Sequence, residues 1–459
     1  MLVPREGDIL TSETDPFMHG SPWGYDTEVP MILYGPGRIR SGRYAATASQ
    51  QDLGATLAAI LGLTRRPEAT GRALEAVLLP ASSPPKVVAV FVLDAFRYDF
   101  LERYADRLPH LVSMREGGAS FEGRVTVLPT ATAVSHATLS TATDPRIHGI
   151  TGNRVYDPGS GRRVDPFEGA SPRNFMALTV ADRWGTATAG RAVIASLGGR
   201  DYPATALAGH GRCLVGGRSM VLAYLSSRTG TWSSNPECFR LPEYMAGLGS
   251  TDAVARIYQL LQAGASPKDP TAALMATELA GFEGAGVQAL LRGEPFGVDS
   301  ITDLLLVNLK VADHVGHAFG PFSGAEQAAV AELDRQVGEI LAILEEKAGL
   351  EGYVVAITSD HGMPDEPVGP DRRHTHAELI GEIDRHFDPD GRGVVLALGG
   401  ADSQIYLDHE RLAELELSTA AVAAHLETLP FIHAAYTADE VEAAGAVEKG
   451  PEQPASSAD

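Results

Sequence analysis

The sequence predicts an α/β fold in which a mostly parallel sheet lies between helices and carries an inserted cap region. Three apolar runs, at residues 87–94, 303–313 and 353–361, have the composition of strands that are buried on both faces of a parallel sheet. Each run delivers an aspartate at or just beyond its carboxyl end. Because parallel strands end at the same edge of a sheet, we expect a functional site at that edge.

Length and composition limit the class of protein. The 459 residues are enough for one large α/β domain with an insertion, or for two domains, and the hydrophobic content of 44% is that of a globular protein. The formal net charge of −22 argues against a surface that binds nucleic acids or anionic membranes. A site for phosphate would therefore need metal ions or nearby arginine to reverse the local sign of charge.

The sequence shows no targeting segment. No apolar run approaches the roughly 18 residues of a transmembrane helix, and residues 1–30 lack the basic start and apolar core of a signal peptide. Composition alone indicates the cytoplasm and carries no sign of an oligomeric state. Cys213 and Cys238 could form one disulfide, although two isolated cysteines do not fix the compartment.

A linker rich in proline and serine, residues 79–86, divides the chain. Before it we expect a short strand at 7–11, a loop at 18–30, a buried strand at 31–34 and a helix at 51–63. After the main runs we expect a helix within 321–350 and strands at 393–399, 404–407 and 431–436. The predicted segments are 1–79, which completes the main domain; the linker 80–86; the first half of the domain, 87–154; an inserted cap, 155–300; the second half, 301–443; and a disordered tail, 444–459.

A candidate nucleophile follows the apolar run at 121–128. This run ends at Pro129, and a stretch of small residues with helical potential begins near Thr132. A hydroxyl placed where a strand gives way to a helix lies near free backbone N–H groups and the positive end of the helix dipole. That position suits an oxygen nucleophile that attacks an anionic group, although threonine is also common in turns and caps.

Aspartate and histidine residues near the strand ends have the spacing of metal ligands. Asp313 and His317 are one helical turn apart, so both can reach one ion, and Asp360 and His361 share a tight turn before a glycine. With Asp94 and Thr132 they supply enough ligands for two metal ions about 3.5–4 Å apart.

These motifs together resemble the alkaline phosphatase superfamily, in particular its type I phosphodiesterase/nucleotide pyrophosphatase branch and the threonine-nucleophile bacterial phosphatases of that branch. The resemblance covers most of residues 86–440 and implies an alkaline-phosphatase-like α/β/α sandwich. The matching motifs are Leu93-Asp94-Ala-Phe-Arg-Tyr-Asp99, Pro129-Thr-Ala-Thr132-Ala-Val-Ser-His136, Pro145-Arg-Ile-His-Gly149 with Asn153, Asp313-His-Val-Gly-His317 and Ser359-Asp-His-Gly362.

The resemblance also implies a role for each motif residue. It implies two zinc ions, a covalent phosphoryl intermediate on Thr132, and a hydrogen bond from Asn153 to a phosphoryl oxygen. One zinc would be bound by Asp94, Thr132, Asp360 and His361, and the second by Asp313, His317 and one further histidine. His136 and His148 match family positions too, and we interpret them as structural.

The further histidine indicates an unusual chain order. In the family it lies downstream of the Asp-His-Gly motif, in a His-Gly-Ser-Pro loop before a strand. Here the matching stretch is His19-Gly-Ser-Pro-Trp-Gly-Tyr-Asp-Thr-Glu-Val-Pro30, far upstream of His361. The chain therefore resembles a circular permutant in which the family's termini are joined across residues 79–86. A gene-assembly artefact is the alternative explanation, and His374 or His376 is an alternative third ligand.

One departure from the family bears on specificity. The related bacterial phosphatases carry a Ser-x-Lys-x-Arg motif whose two cations touch the phosphoryl oxygens, whereas this chain reads Ser196-Leu-Gly198-Gly-Arg200. Arg200 can still clamp phosphate in a bidentate way. The loss of the lysine disfavours a dianionic monoester more than a monoanionic diester, unless a nearby arginine or His210 compensates.

The sequence thus predicts a metal-dependent hydrolase of small phosphoric esters or nucleotides, of phosphodiesterase or phosphatase type. Hydrolysis of phosphonates at the same site and a non-catalytic binding protein of the same fold are the alternatives. Sulfate ester hydrolysis is disfavoured, because sulfatases use a modified cysteine or serine where this chain has Thr132.

Overall fold

The computed structural model describes residues 1–12, 15–214, 220–264, 266, 268–367, 369–388, 390–399 and 403–447. Its strands are β1 (Leu2–Pro4), β2 (Ile9–Thr11), β3 (Glu28–Tyr34), β4 (Gly42–Ser49), β5 (Val87–Leu93), β6 (Ala119–Arg124), β7 (Val155–Asp157), β8 (Arg162–Val164), β9 (Ile194–Gly198), β10 (Val221–Leu225), β11 (Trp232–Ser233), β12 (Asp303–Leu309), β13 (Tyr353–Thr358), β14 (Arg373–Thr375), β15 (Val395–Gly399), β16 (Gln404–Leu407) and β17 (Ile432–Ala435). Its α-helices are α1 (Gly24–Thr27), α2 (Gln50–Ile60), α3 (Phe100–Arg103), α4 (Pro109–Gly117), α5 (Thr132–Thr141), α6 (Pro145–His148), α7 (Val180–Ala187), α8 (Asp201–Ala208), α9 (Glu243–Ala246), α10 (Ala253–Gln262), α11 (Pro270–Gly293), α12 (Val311–Phe319), α13 (Gly324–Ala348), α14 (His376–Phe387), α15 (His409–Glu414), α16 (Thr419–Leu426) and α17 (Ala438–Val447).

A large central sheet organises the fold. Within the described residues it has nine strands, in the order β11-β10-β9-β12-β5-β13-β3-β6-β4. The five strands β10, β9, β12, β5 and β13 are parallel to one another. The predicted α/β class with a mostly parallel central sheet is therefore confirmed.

The middle strand β5 is apolar throughout because both of its faces are covered. Val87, Ala89, Phe91 and Leu93 pack into a core with the helices α10 to α13. The residues that alternate with them, at 88, 90 and 92, pack on the other face against α2, α7 and α8. Since successive side chains of a strand point to opposite faces, one apolar run supplies both cores.

Strand β3 runs against the direction of the strands around it. It pairs antiparallel with both β13 and β6. The start of β3 therefore lies at the edge of the sheet where β5, β12 and β13 end. The loop that precedes β3 enters the structure at that edge.

The segment 155–300, expected to be an inserted cap, contributes more than a cap. Its strands β9, β10 and β11 extend the central sheet beyond β12, and its helix α11 packs along α13. The short apolar runs at Ile194–Gly198 and Val221–Leu225 are buried like the longer runs of the sheet. The hairpin of β7 and β8 stands outside this sheet.

The two ends of the described chain meet in a smaller layer. β1 pairs antiparallel with β17, and the hairpin of β15 and β16 shares an apolar core with β1, α14 and α16. Residues 79–86 form neither helix nor strand, as expected of a linker. Helix α17 extends to Val447, into the segment predicted to be a disordered tail, and the remaining residues 448–459 lie outside the described residues.

The described residues include one disulfide. It joins Cys213 and Cys238. None of the helices in the described part of the chain is both long and apolar enough to cross a bilayer.

We expect the disulfide to stabilise the fold. Replacing both Cys213 and Cys238 with serine should lower the free energy of unfolding by about 3 kcal/mol, because a cross-link across a separation of 25 residues restricts the unfolded chain. Denaturant unfolding of the two proteins measures the difference. Reduction of the wild-type protein should give the same loss and leave the serine variant unchanged; an equal response of both proteins to reductant would contradict this expectation.

Candidate metal centre and nucleophile

Three carboxylates converge at the carboxyl edge of the central sheet. Asp94 directly follows β5, Asp360 follows β13, and Asp313 lies in the first turn of α12 after β12. These three strands are neighbours in the sheet. All three carboxylates are buried, so each needs positive charge or hydrogen bonds to remain ionised.

The first candidate metal group consists of Asp94, Asp360 and His361, whose ligand atoms lie within 4.8 Å of one another. His361 Nε2 is 3.6 Å from Asp94 Oδ1 and 3.3 Å from Asp360 Oδ2. Thr132 joins this group, because its Oγ1 lies 3.2 Å from His361 Nε2. Thr132 is the first residue of α5, the position that the sequence predicts for a nucleophile.

The second candidate group consists of His19, Asp313 and His317. Asp313 Oδ1 lies 3.2 Å from His317 Nε2 and 3.7 Å from His19 Nε2. The imidazole of His19 stacks on that of His361 with ring centres 3.5 Å apart, so the two groups are adjacent.

The structure brings His19 to this group and not the alternative His374. His19 lies in the loop before β3, which enters at the carboxyl edge of the sheet. His374 lies 3.2 Å from Asp8 and stacks on Phe431. Among the described residues, the groups of three or more possible ligands are the two given above, and neither contains His374 or His376.

All three imidazoles are oriented in the same way. Each has its Nδ1 within hydrogen-bonding distance of a backbone carbonyl, which fixes the proton on Nδ1 and leaves Nε2 as a bare acceptor. Burial lowers the pKa of both His19 and His361, which favours the neutral form that binds metals. The contacts are His19 to Thr130 O at 2.6 Å, His317 to Phe17 O at 2.7 Å and His361 to Gly362 O at 2.9 Å.

The carboxylates also present unused acceptors. Asp94 Oδ1, Asp313 Oδ1 and Asp360 Oδ2 are buried, and none has a hydrogen-bond partner within the described part of the chain. Burial and the neighbouring Asp360 raise the pKa of Asp94, which reflects the cost of crowding these charges together. Bare imidazole nitrogens beside unpaired carboxylate oxygens form the donor set of a divalent cation such as zinc, so the residues fit the metals that the sequence predicts.

The neighbours of Thr132 are fixed by hydrogen bonds. Asn153 Oδ1 accepts the backbone N–H of Ala133, which places Asn153 beside the candidate nucleophile. His136 lies 2.8 Å from the carbonyl oxygen of Thr132. His148 contacts Thr138 and the N–H of Ile150, away from the ligand groups, in agreement with a structural role.

Arg200 follows β9, the strand next to β12. Its guanidinium lies over the ring of Tyr202, 5.9 Å from the ring centre, and its part in phosphate binding stays a prediction. His210, a possible compensating cation, has both ring nitrogens engaged, with Asp182 at 2.9 Å and the carbonyl of Phe175 at 3.0 Å.

Sequence reasoning missed Lys310. Its ammonium is buried and forms ion pairs with Asp94 Oδ2 at 2.9 Å and Asp313 Oδ2 at 2.8 Å. Burial lowers the pKa of Lys310, but Asp313 and Asp94 outweigh this effect and raise it, so the ammonium stays charged. The sequence does contain a signal for this residue, because Lys310 lies inside the run at 303–313 that is predicted to be buried.

A buried carboxylate holds the loop that carries His19. Asp26 Oδ2 accepts the N–H groups of Gly20 and Ser21, at 3.1 and 2.9 Å, and the hydroxyl of Ser21 at 2.6 Å. Burial raises the pKa of Asp26 from its ordinary value of 3.8 to about 7.

Known proteins resemble this chain to different extents. Residues 88–449 match the family described as type I phosphodiesterase / nucleotide pyrophosphatase. The alkaline phosphatase PafA of Elizabethkingia meningoseptica is 26% identical over 394 residues, which cover 72% of this chain and 71% of PafA. The alkaline phosphatase PhoV of Synechococcus elongatus is 27% identical over 332 residues, which cover 62% of this chain and 60% of PhoV. A crystal structure of wild-type PafA superposes with a TM-score of 0.59 at 22% identity, over 81% of this chain and 82% of PafA, and supports the fold.

The raised pKa of Asp26 predicts a pH-dependent stability. The folded protein keeps the Asp26 proton up to about pH 7, whereas the unfolded chain loses it near 3.8. The folded state therefore binds more protons between these values, and its stability falls as the pH rises through this window. Relative to Asp26→Asn, which keeps an oxygen acceptor, the wild type should lose up to about 4 kcal/mol across the window. Denaturant unfolding of both proteins between about pH 4 and 8 measures this difference, and a difference that does not change with pH would contradict it.

Proposed function

The chain belongs to the type I phosphodiesterase/nucleotide pyrophosphatase family and is a phosphoric ester hydrolase, and we propose that it works with two zinc ions and Thr132 as a covalent nucleophile. The observation that carries the proposal is the position of the Thr132 hydroxyl, 3.2 Å from His361 Nε2 at the first turn of α5. A hydroxyl at that point faces both a candidate metal group and the amino end of a helix.

The residues that would hold the ions follow from the two groups. One zinc ion would be held by Asp94, Asp360, His361 and Thr132. The other zinc ion would be held by His19, Asp313 and His317. Zinc ions bound there would lower the pKa of the nucleophilic hydroxyl and of a water molecule, and would neutralise charge on the phosphoryl oxygens.

In the first half of the reaction, Thr132 Oγ attacks phosphorus and the bond from phosphorus to the leaving oxygen breaks. The hydroxyl proton ends on the leaving alcohol, and Thr132 carries the phosphoryl group. Asn153, anchored by the Ala133 N–H, directs its amide nitrogen to a phosphoryl oxygen. The amino end of α5 adds positive potential at the same place.

In the second half, water attacks the same phosphorus and the bond from phosphorus to Thr132 Oγ breaks. The products are inorganic phosphate, or a phosphate monoester when the substrate is a diester, and the regenerated Thr132 hydroxyl. His19 and His361 would stay neutral and offer Nε2 to the ions in both halves of the reaction, because backbone carbonyls hold their Nδ1 protons. We propose small phosphate esters or nucleotides as substrates.

We also propose that the chain order is a circular permutation. The family match begins at residue 88, yet β3 and β4 lie in the same sheet as β5, and His19 lies in the site. Strand β1 pairs antiparallel with β17, so residues 1–79 lie next to the end of the segment that the family match covers. Residues 1–79 thus have the place of a C-terminal segment.

Replacement of Thr132 tests the covalent mechanism. Thr132→Ala should lower kcat for an aryl phosphate ester by at least about 1000-fold, because the attacking oxygen is lost. Thr132→Ser keeps the hydroxyl and should retain most of the activity. Acid-quenched mass spectrometry should find a phosphoryl group on Thr132 in the wild type. Full turnover by the alanine variant would exclude the mechanism.

Replacement of His19 tests whether the N-terminal segment completes the centre. His19→Ala should bind about one zinc ion less per chain and lose most of its turnover, as expected when one of three ligands is removed. His374→Ala is the matched control and should keep its zinc, because His374 pairs with Asp8. Metal analysis and turnover of dialysed proteins measure both effects. Unchanged zinc in His19→Ala would place the third ligand elsewhere.

A further inference from the structure

The ammonium group of Lys310 lies at the centre of the site and makes three polar contacts. It pairs with Asp94 Oδ2 and Asp313 Oδ2, and it donates to Thr132 Oγ1 at 3.3 Å. The side chain is only 2% exposed. A charged group that touches the proposed nucleophile is placed to act on the reacting atoms.

Lys310 and the candidate metal ligands use different oxygens of the same carboxylates. The Oδ2 atoms of Asp94 and Asp313 face Lys310, while the Oδ1 atoms of both are unpaired and lie beside the imidazoles of the two groups. An ammonium and two divalent cations can therefore be held at the same time. Lys310 need not be displaced for the ions to bind.

A purely structural pairing does not require the contact with Thr132. Asp94 Oδ2 already accepts a hydrogen bond from Asn308 Nδ2 at 2.7 Å. The ammonium is a triple donor, and its third contact is the hydroxyl of Thr132. That N–H is the one that would lie beside a phosphoryl oxygen bonded to Thr132.

The surroundings of Lys310 hold it in this position. Glu283, from α11, accepts the backbone N–H groups of both Lys310 and Val311, at 3.0 to 3.2 Å. The backbone of Gly199 contacts the aliphatic part of the Lys310 side chain. A Cβ at position 199 would lie 2.4 Å from the Cβ of Lys310, so only glycine leaves room for it. The ring of Tyr202 lies 5.5 Å from the ammonium on the cap side.

The strand next to β12 lacks a cation at the matching level. Gly198, at the end of β9, pairs in register with Asn308, two residues before Lys310. A Cβ at Gly198 would lie 3.0 Å from both the Cβ and the N of Ala204 in α8, so this position has little room for a side chain. The lysine expected from the Ser-x-Lys-x-Arg motif is missing from β9, and the residue directly after β12 is a lysine.

We propose that Lys310 is a catalytic residue that contacts the transferring phosphoryl group and Thr132, and that it makes the site competent for phosphate monoester dianions. This proposal rests on the proposed function, because it assumes that Thr132 attacks phosphorus. Lys310 donates hydrogen bonds throughout and gains or loses no proton in either half of the reaction.

The charge balance of the site explains why a monoester depends on Lys310. Apart from Arg200, three carboxylates and two divalent cations would together carry one positive charge, and Lys310 adds a second. Two positive charges match a monoester dianion, whereas one is enough for a diester monoanion. Removal of Lys310 should therefore harm monoester hydrolysis more than diester hydrolysis.

The test compares Lys310→Met, Lys310→Arg and Lys347→Met with the wild type, all loaded with zinc. Methionine keeps the length of the stem without the charge. Lys347, on α13, is the control, and its ammonium donates to the carbonyl of Glu294. Four quantities are measured: zinc per chain, melting temperature, kcat/KM for an aryl phosphate monoester and its diester, and calorimetric affinity for inorganic phosphate.

We expect Lys310→Met to keep its zinc and its fold, and to lose about 100-fold or more in kcat/KM for the monoester, as when one donor to a developing charge is removed. The loss for the diester should be at least tenfold smaller, and phosphate binding should weaken in parallel. Lys310→Arg should keep the wild-type ratio of monoester to diester hydrolysis, and Lys347→Met should change none of these quantities.

Three results would overturn the proposal. Unchanged rates and phosphate affinity in Lys310→Met would make Lys310 a counter-ion only, and loss of zinc with equal losses for both substrates would make it an organiser of the carboxylates. If Lys310→Met does not fold, Lys310→Arg is the deciding variant. A shift of its ratio of monoester to diester hydrolysis toward the diester would count against the proposal.

A wild type that hydrolyses neither ester would refute the proposed function instead. The effect of Lys310→Met on phosphate affinity would then still decide whether Lys310 binds phosphate.

Discussion

The crowding of three buried carboxylates is the constraint on which the site depends. Asp94, Asp313 and Asp360 meet because β12, β5 and β13 are adjacent and parallel. Burial and the repulsion between these charges both raise the pKa of Asp94. Lys310 offsets part of this repulsion, but each of the three carboxylates still has one unpaired oxygen. A cluster of this kind favours the binding of further cations, and the same three carboxylates would hold them.

The reversed direction of β3 connects the N-terminal segment to this cluster. Had β3 run parallel to β13, the loop before it would lie at the opposite edge of the sheet, far from Asp313. Because β3 is antiparallel, His19 arrives where the carboxylates end and stacks on His361. The segment also orients a second imidazole, since the carbonyl of Phe17 lies 2.7 Å from His317 Nδ1. One loop would thus supply one ligand and orient another.

Much of this could be predicted from local sequence. The runs that became β5, β12 and β13 are apolar and end in aspartate, and the spacing of Asp313 and His317 implies one helical turn. These signals are local, so a single sequence carries them. The sequence predicts a cap for the segment that contains β9 and β10, because runs of five residues among glycines do not reveal which sheet they join. The proximity of His19 came from resemblance to a family, because nothing within residues 18–30 indicates that β3 inserts between β13 and β6.

The buried ion pairs of Lys310 are likewise not visible in the local sequence. A lysine near a strand end normally lies at the surface, and its burial here depends on Asp94 and Asp313, which come from other elements. Electrostatic stabilisation depends on where a charge lies and not on which strand carries it. Since β9 and β12 are neighbours in register, a cation absent from the end of β9 can be supplied from the end of β12 at nearly the same level of the sheet. The glycines at 198 and 199 therefore do not by themselves indicate a site that is short of positive charge: Gly199 leaves the space that the Lys310 stem occupies.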